Sequence, residues 1–118
     1  MKEDMIMHIS FDGIGHMSVT FPAGTCDEGQ LCKLDTEGKA SACAAGDKFC
    51  GVAEVVKGGL AAVQLHGFAT VSYTGTAPNM GWAALSADGN GGVKIDTAGN
   101  NYLVVAVDTA AKTCVIEL

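Results

Sequence analysis

Apolar and polar residues alternate along most of this chain, the period expected of strands with one buried face. Met5, Met7, Ile9 and Phe11 share one parity and predict a strand that ends at Asp12-Gly13. Met17, Val19 and Phe21 alternate next, up to Pro22-Ala23-Gly24. Short strands are predicted at Leu31–Leu34 and at Lys39–Ala44, with Ala40, Ala42 and Ala44 on one face and Ala45-Gly46-Asp47 turning after them. Val52–Val56 runs into Lys57-Gly58-Gly59, a hairpin signal. Ala61, Val63 and Leu65 follow. Gly67 then interrupts the pattern as a bulge or a corner, and Ala69, Val71 and Tyr73 resume it.

Thr74–Gly81 reads as a loop and Trp82–Leu85 as a short strand. Asp88-Gly89-Asn90-Gly91-Gly92 is the most flexible stretch by composition, and Val93 to Ile95 follows it. Tyr102–Val107 is an unbroken apolar run, the pattern of a central strand, and Thr113–Leu118 closes the sheet. No window has helical periodicity. The expectation is an all-β fold, a small β-barrel or β-sandwich of about nine or ten short strands. Residues 1–15 form either an N-terminal arm or the first strand, and residues 16–118 a single β domain. No exact internal repeat is visible.

Composition supports one compact domain. The 118 residues are 48% hydrophobic and 17% charged, which argues against disorder. Glycine stands at 16, in keeping with many turns. The net charge of −6, seven scattered lysines and the absence of arginine give no footprint for nucleic acid. Lacking arginine, the chain also lacks the bidentate fork that phosphate sites favour. Met1–Phe11 does not read as a signal peptide, because Glu3 and Asp4 sit where positive charge is expected. No apolar run is long enough to span a membrane. Synthesis in a cytoplasm is therefore expected.

The search for chemistry yields little. Cys26, Cys32, Cys43, Cys50 and Cys114 include no CxxC pair, and reduced, buried thiols are expected. Cys43 and Cys50 with a distant histidine would be the alternative, a zinc site, but their spacing is wrong for a finger. His66 could serve Cys50 as a thiol dyad, though nothing along the chain brings the two together. No serine lies in a nucleophile elbow. Asp12, Asp27, Glu28, Asp35, Glu37, Asp47, Asp88, Asp96 and Asp108 fall in turns, where aspartate side chains bond nearby amides, rather than in a sugar-cleaving pair. Asp88-Gly89-Asn90-Gly91-Gly92 lacks the oxygen spacing of a calcium loop. Gly13-Ile14-Gly15 has no βα context for a dinucleotide. No catalytic residue, cofactor or metal is assigned.

Several stretches resemble a family. These are Val19-Thr20 with Ala23-Gly24-Thr25, then Glu28-Gly29 and Cys32-Lys33-Leu34. Ala45-Gly46-Asp47-Lys48-Phe49, Gly51-Val52, Gly58-Gly59, Ala62-Val63-Gln64 and Gly67-Phe68-Ala69-Thr70-Val71 add to them. Tyr102-Leu103-Val104-Val105, Val107-Asp108 and Val115-Ile116 end the series. Together they resemble the capsid decoration (head stabilisation, cement) proteins of tailed phages and prophages. The resemblance implies a β-barrel-like virion structural protein on the capsid exterior, a homotrimer bound to the major capsid protein. It supplies no catalytic residues, and five cysteines exceed what it leads one to expect. A carbohydrate-binding or head-fibre β module is the alternative, and a small hydrolase a third. The apolar face of Met5, Met7, Ile9 and Phe11 marks residues 1–15 as a candidate assembly interface, pairing with a sheet edge of a neighbour.

Overall fold

A computed structural model describes residues 15–118. Met5, Met7, Ile9 and Phe11, and with them the arm-or-first-strand expectation, lie outside the described residues.

The chain is all-β, with no helix among the described residues. Ten strands follow in order: β1 (Met17–Pro22), β2 (Leu31–Leu34), β3 (Ala40–Ala42), β4 (Gly51–Lys57), β5 (Leu60–His66), β6 (Phe68–Ser72), β7 (Gly81–Ala87), β8 (Val93–Ile95), β9 (Asn100–Asp108) and β10 (Thr113–Glu117). They make two antiparallel five-stranded sheets, β1-β5-β4-β2-β3 and β6-β10-β9-β7-β8. Of the two architectures open to the sequence, this is the sandwich and not a single closed barrel.

Turn chemistry sets the joints. Lys57 pairs with Leu60 across Gly58-Gly59, and both glycines have positive φ (60° and 78°), the two-residue turn that matches strand twist. Gly67, at φ 99°, is the corner where β5 leaves one sheet and β6 enters the other. β3 stops at Ala42, because the Ala44 amide goes to the Asp47 carboxylate at 2.9 Å instead of into the ladder. The Tyr102–Val107 run lies in β9, the middle strand of its sheet. β10 is an inner strand between β6 and β9.

The second five strands repeat the topology of the first. In each sheet the first strand pairs with the fifth, the fifth with the fourth, the fourth with the second and the second with the third. The fourth strand carries one extra residue in each case, Glu54 in β4 and Val105 in β9, and three paired rungs separate it from the hairpin. The residue just after the first strand bridges the third strand in parallel, Ala23 to Ala40 and Tyr73 to Val93. Each sheet therefore curls until its two edges touch at one point.

Each curl holds apolar side chains. Cys26, Cys32, Ala40, Ala53, Ala61 and Val63 cluster within the first sheet. The larger cluster contains Ala69, Val71, Tyr73, Leu85, Val93, Val104, Cys114 and Ile116 of the second sheet, joined by Leu31, Phe49 and Val52 of the first. Phe49 stacks on Tyr102 with ring centroids 4.9 Å apart. Backbone bonds also cross between the sheets, Leu31 N to Gly91 O (3.0 Å), Gly46 N to Ala87 O (2.9 Å) and Ala87 N to Asp47 O (3.0 Å).

Candidate functional site

Alternation that buries one face of the second sheet turns the other outward. Leu85, Val104, Cys114 and Ile116 point into the core, so their neighbours Ala84, Leu103, Val115 and Glu117 lie on the outer face. Cross-strand register lines up Phe68, Glu117, Leu103 and Trp82 in one row, and Thr70, Val115 and Ala106 in the next. The bulge at Val105 adds a further apolar residue to this strand. Trp82 is 71% exposed and Met80, just before β7, is 66% exposed. Indole is large and mostly apolar, and its exposure beside Leu103 marks a surface suited to contact with another molecule. In the sequence Trp82 marks only the start of a short predicted strand. Its orientation depends on which parity of β7 faces the core.

One polar cluster escaped sequence reasoning. Ser18 on β1 donates a hydrogen bond to Glu54 Oε1, and His16 Nε2 lies 2.9 Å from Ser18 Oγ and 3.0 Å from Glu54 Oε2. Glu54 is the bulge residue of β4, and its side chain crosses β5 to reach β1. Spacing hints only that His16 and Ser18 share a parity. The cluster has the residue types of a hydrolytic triad without its order. Ser18 gives its proton to the carboxylate, and a single histidine nitrogen faces both partners. A working triad needs the base between nucleophile and acid, using its two nitrogens separately.

All five cysteines are free thiols, with Cys26, Cys32 and Cys114 buried and Cys43 and Cys50 half-buried. No group of three ligating side chains able to hold a metal ion occurs among the described residues. The Cys50–His66 dyad is not assembled. His66 is exposed at the end of β5, and the Cys50 sulfur meets the Cys32 thiol and the Leu34 amide instead. That hydrogen bond from Cys32, helped by backbone N–H groups, draws Cys50 down to about 7. The same contact, together with burial, pushes Cys32 up. Burial alone carries Cys114 up to about 11.

The aspartates hold turns. Asp35 Oδ1 accepts the Glu37 and Lys39 amides, Asp96 Oδ1 that of Ala98, and Asp108 Oδ1 those of Ala110 and Ala111. Asp88 Oδ1 takes the Asn90 and Gly92 amides at 2.6 and 3.0 Å, so the Asp88–Gly92 loop is a self-bonded turn. The described residues form shallow surface depressions. One lies along Ala106–Ala110 and Thr113–Val115, another is lined by Thr74, Gly75, Thr76, Lys94 and Ile95, and neither wall carries a histidine or a carboxylate pair. No family model, curated protein or solved structure matches the chain.

Proposed function

We propose that this chain is a non-enzymatic structural protein that decorates and stabilises a phage capsid by docking on the lattice of the major capsid protein. The observation that carries the reading is the outer face of the second sheet, where exposed Trp82 stands opposite half-buried Leu103, with exposed Met80 just before its strand. A cement protein needs a rigid body and an apolar face that is covered only in the assembly. The ten-strand sandwich supplies the first and this face supplies the second. An acidic chain, at −6, stays soluble before docking. Placement on the capsid exterior and a homotrimeric state belong to the same proposal, and rest on the resemblance described above. Residues 1–15 remain the proposed second contact.

Co-sedimentation with cognate tailed-phage capsids tests the reading. The native chain should pellet with the shells, and Trp82→Ala should lose most of that binding while its melting temperature stays within a few degrees of native. Equal binding by both proteins would exclude this face.

A second reading draws on the same tryptophan. An exposed indole on a sheet face is also a stacking platform for a sugar ring, as in a carbohydrate-binding or head-fibre module. Glycan-array signal that Trp82→Ala abolishes, with no capsid co-sedimentation, would favour it.

A further inference from the structure

The first sheet concentrates thiols in a way the decoration reading leaves unused. Cys32 sits in β2 opposite Gly51 of β4, and the ladder ends at that rung. Were it to continue, Cys50 would face Lys33. Instead the Cys50 amide donates to the Cys32 carbonyl at 2.9 Å, and the two side chains meet as hydrogen-bonded thiols. That backbone bond holds the two residues side by side at the end of the ladder, and the contact between their thiols puts the sulfurs within reach of one another. Access to the two sulfurs is unequal: Cys32 is fully buried and Cys50 is half-buried.

We propose that Cys32 and Cys50 form an oxidisable pair, in which Cys50 is attacked first and Cys32 resolves it to an intramolecular disulfide. The co-reactant is a small-molecule disulfide. The Cys50 thiolate displaces one thiolate from it and becomes a mixed disulfide. Cys32 then gives up its proton to solvent, its sulfur attacks Cys50 Sγ, and the second thiolate leaves. Two protein thiols are oxidised and the oxidant is reduced to two thiols. Exchange runs through the thiolate and needs an accessible sulfur, and Cys50 has both properties: backbone N–H groups of Cys50 and Leu34 and the Cys32 thiol point at it. Conversion of Cys50 to the mixed disulfide removes its negative charge. The contact that most strongly holds the Cys32 proton on then disappears, and the second step follows. Cys43 acts on Cys50 only through charge at a distance, without a hydrogen bond, and Cys114 lies in the other core.

The test is a titration of the full chain with oxidised glutathione at pH 8, read by thiol count, intact mass and non-reducing peptide mapping. The five free thiols should fall to three, with the loss of two hydrogens and a single crosslinked peptide joining Cys32 to Cys50. Cys32→Ser should stop at a stable glutathione adduct on Cys50, and Cys50→Ser, at a half-exposed position, should keep its remaining thiols over the same time. Retention of five thiols by the native chain, a crosslink between any other pair, or oxidation of Cys50→Ser at the native rate would each overturn the proposal.

Discussion

At the residue scale, local hydrogen bonds decide reactivity and packing tolerance. Cys50 is held at about 7, against 9.0 for an unperturbed thiol, mainly by the Cys32 hydrogen bond. Its alkylation by iodoacetamide should reach half its maximal rate near pH 7, followed site by site by mass spectrometry. Cys43, which burial lifts to about 11, should remain unreactive there. Cys32→Ala should move the Cys50 midpoint up toward 9.0, and an unmoved midpoint would show that the Cys32 contact does not set it. Gly51 makes a different point. A Cβ there would lie 2.0 Å from the Gln64 carbonyl oxygen, a backbone atom that cannot swing away. Gly51→Ala should therefore separate β4 from β5 at a cost of about 3 kcal/mol, measured by urea unfolding. Neither feature was legible in the sequence, because both depend on which strands become neighbours. The aspartates were legible, since their partners lie two to four residues away along the chain.

At the element scale, the strands were readable and their assignment to sheets was not. Alternation locates a buried face, and glycine pairs locate turns, so Gly58-Gly59 and the Gly67 corner could be read directly. The Glu54 and Val105 bulges could not, because an extra residue is defined only against its partner strand. For the same reason the Glu54 contact with Ser18 and His16 was out of reach. The acidic turns carry a testable pH dependence. The Lys39 amide lowers Asp35, the Lys33 ammonium, 2.6 Å away, lowers Asp47, and the Ala98 amide lowers Asp96, each from 3.8. A folded value below the unfolded one means that the stabilisation is complete above pH 3.8 and is lost as pH falls through the lowered values. Thermal melts should thus hold steady near neutrality and drop below about pH 4. Asp47→Asn should flatten part of that acid limb, and a limb of unchanged steepness would remove Asp47 from the account.

At the scale of the whole molecule, the chain is two five-stranded units of one topology, and the question is what makes them a single folding unit. Sequence similarity between the halves is too slight to reveal the repeat, since equivalent core positions hold different residues. Val63 and Ile116 occupy matching rungs, as do Ala61 and Cys114. What matches is the pairing order, the bulge and the closing bridge. The first unit encloses small side chains, Cys32, Ala40, Ala53 and Ala61 among them, which bury little apolar area and leave that unit dependent on its neighbour. The dependence runs through Leu31, Val52 and Phe49, which leave the first unit's own cluster and join the second. Phe49 is the largest of them, 7% exposed and stacked on Tyr102. Its position between β3 and β4 is also fixed by Gly46 and Asp47, whose backbone bonds reach Ala87 on β7. Truncating the ring should therefore do more than leave a cavity. Phe49→Ala should cost about 3–5 kcal/mol and, because it removes the main shared side chain, should lower the cooperativity of unfolding. Calorimetry provides the check. The native chain should unfold in one transition with calorimetric and van't Hoff enthalpies equal, and the variant should show a van't Hoff enthalpy below the calorimetric one, with the first unit melting earlier. A loss under about 1 kcal/mol, with a transition as sharp as native, would mean that the cross-sheet backbone bonds alone couple the two units.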